Sequence, residues 1–176
     1  FSDAFNLRAS TSTGFRAPSM QQRFYAKTNT LFVSNGTSLV PVEAGTFTND
    51  SKAAEILGIP KLKEETSQSY SVGLTAKPFR GFEVTVDAYQ IDIDDRIVLT
   101  NNFTGGTNTA LQQQLTAAGA NTANFFTNAI DTRARGLEAV LSYNINFSTK
   151  QKQSLRTTLA MTFIDNVVKK VLMANR

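Results

Sequence analysis

Asp92, Asp94 and Asp95 set three carboxylates within four residues, the densest group of metal-ligand types in a chain with no histidine and no cysteine. Calcium is the chemistry such a run would serve, through hard oxygen ligands. The run lacks the glycine and distal glutamate of a calcium-binding loop, and alternate residues of an extended strand point to opposite faces. No metal site is expected. Glu64 and Glu65 are adjacent, so they splay apart if a strand begins there and form no acid–base pair. Serines and threonines are plentiful, but without imidazole, a G-x-S-x-G elbow or a paired S-x-x-K signature none has a visible activating base. The same composition removes thiol catalysis, disulfides and most zinc or copper sites. The expectation is a protein that is not an enzyme and carries no cofactor.

The remaining charged residues take their meaning from the elements that carry them. Eighteen Lys and Arg oppose fourteen Asp and Glu, a formal +4, but the basic residues lie singly along the chain. A nucleic-acid surface would cluster them on one face, so no nucleic-acid partner is expected.

Those elements are strands. From Gly136 to Phe147 (GLEAVLSYNINF), Leu137, Ala139, Leu141, Tyr143, Ile145 and Phe147 alternate with Glu138, Val140, Ser142, Asn144 and Asn146. A period of two puts one greasy and one mostly polar face on a single strand. The greasy face packs on a protein core or on lipid. Phe5 to Thr11, Ser69 to Lys77, Phe82 to Ala88 and Ser154 to Phe163 repeat the pattern, giving about five strands of one kind. Beyond Ala88 the apolar set changes parity, to Tyr89, Ile91 and Ile93. Either a one-residue bulge near Ala88 to Gln90 restores the facing, or the outer half of this strand has left the membrane. No run reaches the ~18 apolar residues of a spanning helix. A mean hydropathy of -0.20 does not exclude membrane strands, which show lipid only every second residue.

The connections alternate in length. KPFRG, with Pro78 and Gly81, makes a tight turn, and STKQK is a second short link. By contrast Ser12 to Thr66 and Thr100 to Ile130 are long, and both fall at the opposite end of the strands. Outer-membrane barrels show this polarity, with short periplasmic turns and long extracellular loops. Two helices are expected inside the loops. One is SKAAEILGI, capped by Asn49, Asp50 or Ser51, with Ile56, Leu57 and Ile59 as its apolar side and Pro60 ending it; the other is Ala110 to Ala118, stopped by Gly119. Asn35-Gly36 reads as a turn, and the loop aromatics Phe24, Tyr25, Phe32, Phe47, Phe103, Phe125 and Phe126 as a hydrophobic core among the loops in preference to a ligand-stacking vestibule or an interfacial girdle.

GFRAPSMQQRF (Gly14 to Phe24), LKEETSQSYSVGL (Leu62 to Leu74), VDAYQIDIDDRIVLT (Val86 to Thr100) and FFTNAIDTRARGLEAVLSY (Phe125 to Tyr143) resemble, in order and spacing, successive barrel segments of TonB-dependent outer-membrane receptors. The resemblance implies a transmembrane antiparallel β-barrel of about twenty-two strands, filled by an N-terminal plug on which TonB pulls. It implies import of a scarce ligand across the Gram-negative outer membrane, such as an iron chelate (siderophore), cobalamin or an oligosaccharide. Residues 1–176 then represent a C-terminal part of the barrel domain, an open curved sheet lacking the plug and the closing strands. The start at Phe1 and the end at VVKKVLMANR fit an internal piece of a longer protein.

In a barrel the polar parity points to the lumen. Arg8, Glu83, Asp87, Glu138 and Arg156 are therefore candidates to grip the plug or guide the ligand, or they form a solvated, mutually paired wall. Arg133 and Arg135 share the parity of Leu137. If Leu137 to Phe147 spans the bilayer, they sit above the hydrocarbon, where guanidinium suits lipopolysaccharide phosphates; a local ion pair with Asp131 is the alternative. The rival to the whole reading is a soluble secreted β-sandwich with a binding or adhesive role, in which the same apolar faces pack on one another.

Overall fold

The computed structural model describes residues 4–34, 36–148 and 153–171. In chain order the elements are β1 (Phe5–Arg16), α1 (Met20–Phe24), β2 (Lys27–Ser34), β3 (Leu39–Thr46), α2 (Lys52–Leu57), β4 (Glu65–Ala76), β5 (Phe82–Leu99), β6 (Phe103–Thr104), α3 (Thr109–Ala117), β7 (Thr122–Asn124), β8 (Phe126–Ser148) and β9 (Gln153–Val171). The five alternating segments become β1, β4, β5, β8 and β9, adjacent in that order in one open sheet. All five run further than the alternation alone indicates.

The chain divides into two compact units. The first holds Phe1–Gly14, Ser67–Ile93 and Thr132–Lys169, the region of apolar alternation. Its apolar face has no covering layer among the described residues: Leu137 is 44% exposed, Leu159 56% and Phe163 66%. A sandwich would bury these side chains under a second sheet, and none covers them. At the short turn after β4, Phe82 N–H donates to the Phe79 carbonyl, and Gly81 adopts φ +85° where a Cβ would strike the Asn144 carbonyl. Phe79 stacks on Phe82 with centroids 4.9 Å apart, and Tyr143 meets both edge-on. The link STKQK lies largely outside the described residues, as does Asn35.

No bulge interrupts β5 near Ala88. Asn144 N–H donates to the Gly81 carbonyl, Tyr89 lies over Gly136, Gln90 bonds Arg135 and Asp92 bonds Arg133. Each step forward on β5 is thus one step back on β8, with no residue inserted. The parity change is real: Tyr89 stays on the polar face, where Gly136 leaves room for its ring, and Gln90 and Asp92 take positions of the apolar parity. Among the described residues the left-handed non-glycine position is instead Asp95, at φ 56°.

The second unit, Phe15–Thr66 with Asp94–Asp131 and Lys170–Arg176, has a core of its own. Ala53, Ala54, Ile59, Leu111, Leu115, Ala120, Ala123 and Phe125 are buried together, with Phe47, Ile56, Leu57 and Phe103 packed against them. In α2, therefore, Ala53 and Ala54 supply the most buried face, and the expected Ile56 and Leu57 are peripheral. Ser51 caps α2, and the helix ends at Gly58 in the left-handed conformation (φ 67°), two residues before Pro60. Asn108 caps α3, which ends close to the expected Gly119.

Two features of this unit were not expected from the sequence. One is α1, closed by a reciprocal box between Ser19 and Gln22. The other is a four-stranded sheet, β2-β3-β7-β6, in which the hairpin strand β3 pairs in parallel with β7 through Ala44↔Thr122, Gly45↔Ala123 and Thr46↔Asn124. Parallel pairing between segments some eighty residues apart has no local signal.

Candidate functional site

On the polar face, β1, β4 and β5 bring Arg8, Thr75 and Asp87 together. Arg8 Nε donates to Asp87 Oδ1 at 3.0 Å, Nη2 reaches Oδ2, and Nη1 donates to Thr75 Oγ1 at 3.0 Å. Gly73 makes the fork possible, because a Cβ there would strike both Asp87 Oδ1 and the Arg8 side chain. Strand alternation brings these three rows to one face. Ser10 with Ser71 at 2.8 Å, and Ser142 with Thr158 at 3.2 Å, extend the polar lining.

Glu83 and Arg156 belong to a different part of that face. With Lys77, Arg80, Ser142 and Asn144 they line a cavity of about 450 Å³ near the short turn. Glu83 lies 4.0 Å from Lys77. Glu138 and Arg156 form no ion pair among the described residues. The five lumen candidates therefore sort into a closed pair, Arg8 with Asp87, and three that do not share it.

Arg133 and Arg135, on the apolar parity of β8, have the company of β9. Arg133 Nε donates to Asp92 Oδ1 at 2.7 Å and Lys169 Nζ to the same oxygen at 3.0 Å, while Gln90 Nε2 donates to Oδ2 at 2.7 Å. Arg135 Nε donates to Gln90 Oε1 at 2.9 Å. Arg133 thus pairs with Asp92, and the expected partner Asp131 instead accepts the Asp95 N–H at 2.9 Å. Asp92 is 9% exposed and surrounded by donors, which explains how a carboxylate sits there. Lys169 and Gln90 were not legible as site residues, because only the β5–β8 and β8–β9 registers bring them to Arg133 and Arg135.

In the second unit, Arg16 grips the buried Glu65 through Nε at 2.9 Å and Nη2 at 2.5 Å. The Ile97 N–H also donates to Glu65 at 2.8 Å. Lys63 reaches Asp95 at 2.7 Å. Two aspartates of the DIDD run thus part company: Asp92 goes to the arginine and lysine of the first unit, Asp95 to Lys63 in the second.

The family model described as TonB dependent receptor-like, beta-barrel matches residues 1–174. Among solved structures, the siderophore receptor PirA from Pseudomonas aeruginosa aligns with a TM-score of 0.57 and 18% identity, over 96% of this chain and 27% of that receptor. This chain therefore spans about a quarter of the receptor's length, and a likeness at that identity speaks for the fold. No curated protein matches.

Proposed function

Because the chain belongs to the TonB-dependent receptor β-barrel family, a family of receptors and transporters and not of enzymes, we propose that it forms part of the wall of an outer-membrane receptor importing a scarce ligand under the pull of TonB. The observation that carries the reading is the bare apolar face. Leu137 to Phe147 covers about 34 Å at ~3.4 Å per residue, or about 24 Å across the membrane at a ~45° tilt, close to the ~25 Å apolar band of such barrels. Every backbone polar group in hydrocarbon needs a partner within the protein, which a closed barrel of such strands supplies. Phe79 and Phe82, stacked at the short turn, fit the girdle at one edge of that band.

Among ligand classes an iron chelate is favoured, since the structural neighbour is named a siderophore receptor. Cobalamin and oligosaccharide are the other classes. On the lumen side, Glu138 and Arg156 contact the plug or the passing ligand, whereas Arg8 and Asp87 satisfy each other within the wall. The test uses the full-length receptor in cells starved for iron. Uptake of labelled ferric siderophores that disappears on deleting the receptor gene or TonB supports the reading, and uptake indifferent to both deletions sinks it. Charge reversal at Arg156 and Glu138 is expected to reduce uptake about tenfold or more if they hold a charged partner, a loss worth ~1.4 kcal/mol per tenfold; full uptake by both variants assigns them to a solvated wall.

A further inference from the structure

A groove of about 580 Å³ runs over three consecutive cross-strand rows of β1, β4, β5 and β8. Its two outer rows belong to the apolar parity: Ala9, Val72 and Ala88 in one, Tyr70, Gln90 and Arg135 in the next. The polar-parity row between them, which includes Ser71 and Gly136, contributes the floor, because side chains of alternate rows point to opposite faces. The groove therefore opens outward, and its depth comes from small residues at positions 9 and 88. On the β8 side its rim is the cationic cluster.

We propose that this groove and its rim form a binding site for one phosphate-bearing lipid of the outer leaflet, a lipid A-type molecule, with an acyl chain along Tyr70, Val72 and Ala88 and a phosphate at Arg133 and Arg135. The inference rests on the barrel reading for its orientation. Charge complementarity selects the occupant. Arg133 and Lys169 both donate to one carboxylate oxygen of Asp92, and Arg135 spends its Nε on the neutral Gln90. The terminal nitrogens of both arginines donate to no partner among the described residues, and there Asp165, on the same parity of β9 as Lys169, forms no ion pair. A guanidinium fork with both terminal nitrogens open matches a phosphate. The apolar groove directly beside it accounts for the rest of a lipid and for nothing in a free anion. Asp92 orients Arg133 and Lys169 and lowers the positive field at the same time.

The experiment takes the full-length receptor reconstituted in nanodiscs of zwitterionic lipid and measures binding of bisphosphorylated lipid A, dephosphorylated lipid A and inorganic phosphate by native mass spectrometry. Saturable binding of the bisphosphorylated form alone is expected. The double variant Arg133→Gln/Arg135→Gln weakens it about 25-fold, roughly fivefold per cation near an anionic lipid surface. Ala88→Phe fills the groove without touching charge and also weakens binding. Asp92→Asn strengthens it severalfold. Equal affinity of parent and Ala88→Phe overturns the proposal, as does equal binding of dephosphorylated lipid A. So does inorganic phosphate binding as well as the lipid, which would leave an anion site only, or a receptor dimer seated on this face. If the arginine variant fails to assemble, as read by heat-modifiable migration, Ala88→Phe and Asp92→Asn decide. Siderophore uptake is measured on the same variants: a receptor that holds the lipid and imports nothing defeats the transport reading alone, and one that imports without lipid selectivity defeats this one alone.

Discussion

Gly73 shows how much a missing side chain can determine. Its lack of a Cβ lets Arg8 reach across β4 to Asp87, so three strands are joined on the polar face by one fork. Gly73→Val is expected to cost about 1–3 kcal/mol through steric displacement of that pair. In an Asp87→Ala background the cost should fall. Urea unfolding of the full-length receptor in detergent measures both, and equal costs in the two backgrounds would show that the fork is not what the glycine accommodates. Glu65 is the second case. Glu65→Ala leaves the Ile97 N–H and Arg16 without their acceptor and should cost about 1–3 kcal/mol; Glu65→Gln keeps an oxygen for Ile97 and is expected to be milder. At this scale the sequence made the parity of Arg8, Asp87, Glu138 and Arg133 legible, because alternation is a local property. It did not reveal which charges meet. Arg133 has Asp131 two residues away on its own strand, yet its partner is Asp92, forty-one residues away, since partners are chosen by register between strands.

Among the elements, strands with a strict period of two were readable, and the loops were readable only where a cap announced a helix. Ser51 announced α2 and Gly119 the end of α3, whereas the Asn108 cap and the Gly58 stop come from the structure. Ser19 with Gln22 is the same kind of signal and would have disclosed α1. The small sheet had no such signal: β3 contains Pro41, and β6 and β7 have two and three residues. Of the loop aromatics, Phe47, Phe103 and Phe125 form the expected core, with ring centroids 6.1 and 6.3 Å apart around Phe125, while Phe24, Tyr25 and Phe32 are exposed. Leu115, fully buried on α3, tests whether this core matters. Leu115→Ala is expected to cost about 2–5 kcal/mol within the second unit. Limited proteolysis of the full-length receptor should then cut near residues 105–120 well before the strands open. Cleavage unchanged from the parent would mean that α3 does not hold the loops.

For the molecule as a whole, β1 and β9 are the two edges of an open sheet, and their unpaired backbone groups have no place in hydrocarbon. The apolar face left bare from β4 to β9 adds a large sticky surface in water. Produced alone, residues 1–176 are therefore expected to aggregate without detergent and to show no heat-modifiable migration in it. A monomer in plain buffer would count against the barrel reading, because that is the behaviour of a sandwich. Covalent continuation of the sheet at both edges, as in the receptor of which this chain spans 27%, removes the problem. Length and hydropathy could not disclose it, since five strands of a barrel and seven of a sandwich have the same alternation; the decision lies in whether anything covers the apolar side.

The parallel ladder between β3 and β7 ties a segment from the first long connection to one from the second, and α2 from one packs with α3 from the other. Such loops are inherited as a couple. A chimera that takes the first connection from another receptor and keeps the native second one would present Leu111 and Leu115 with a stranger's surface and leave β7 without β3. Diversification of this exterior should therefore proceed by matched changes in both stretches, and engineers seeking to redirect it would have to graft them together.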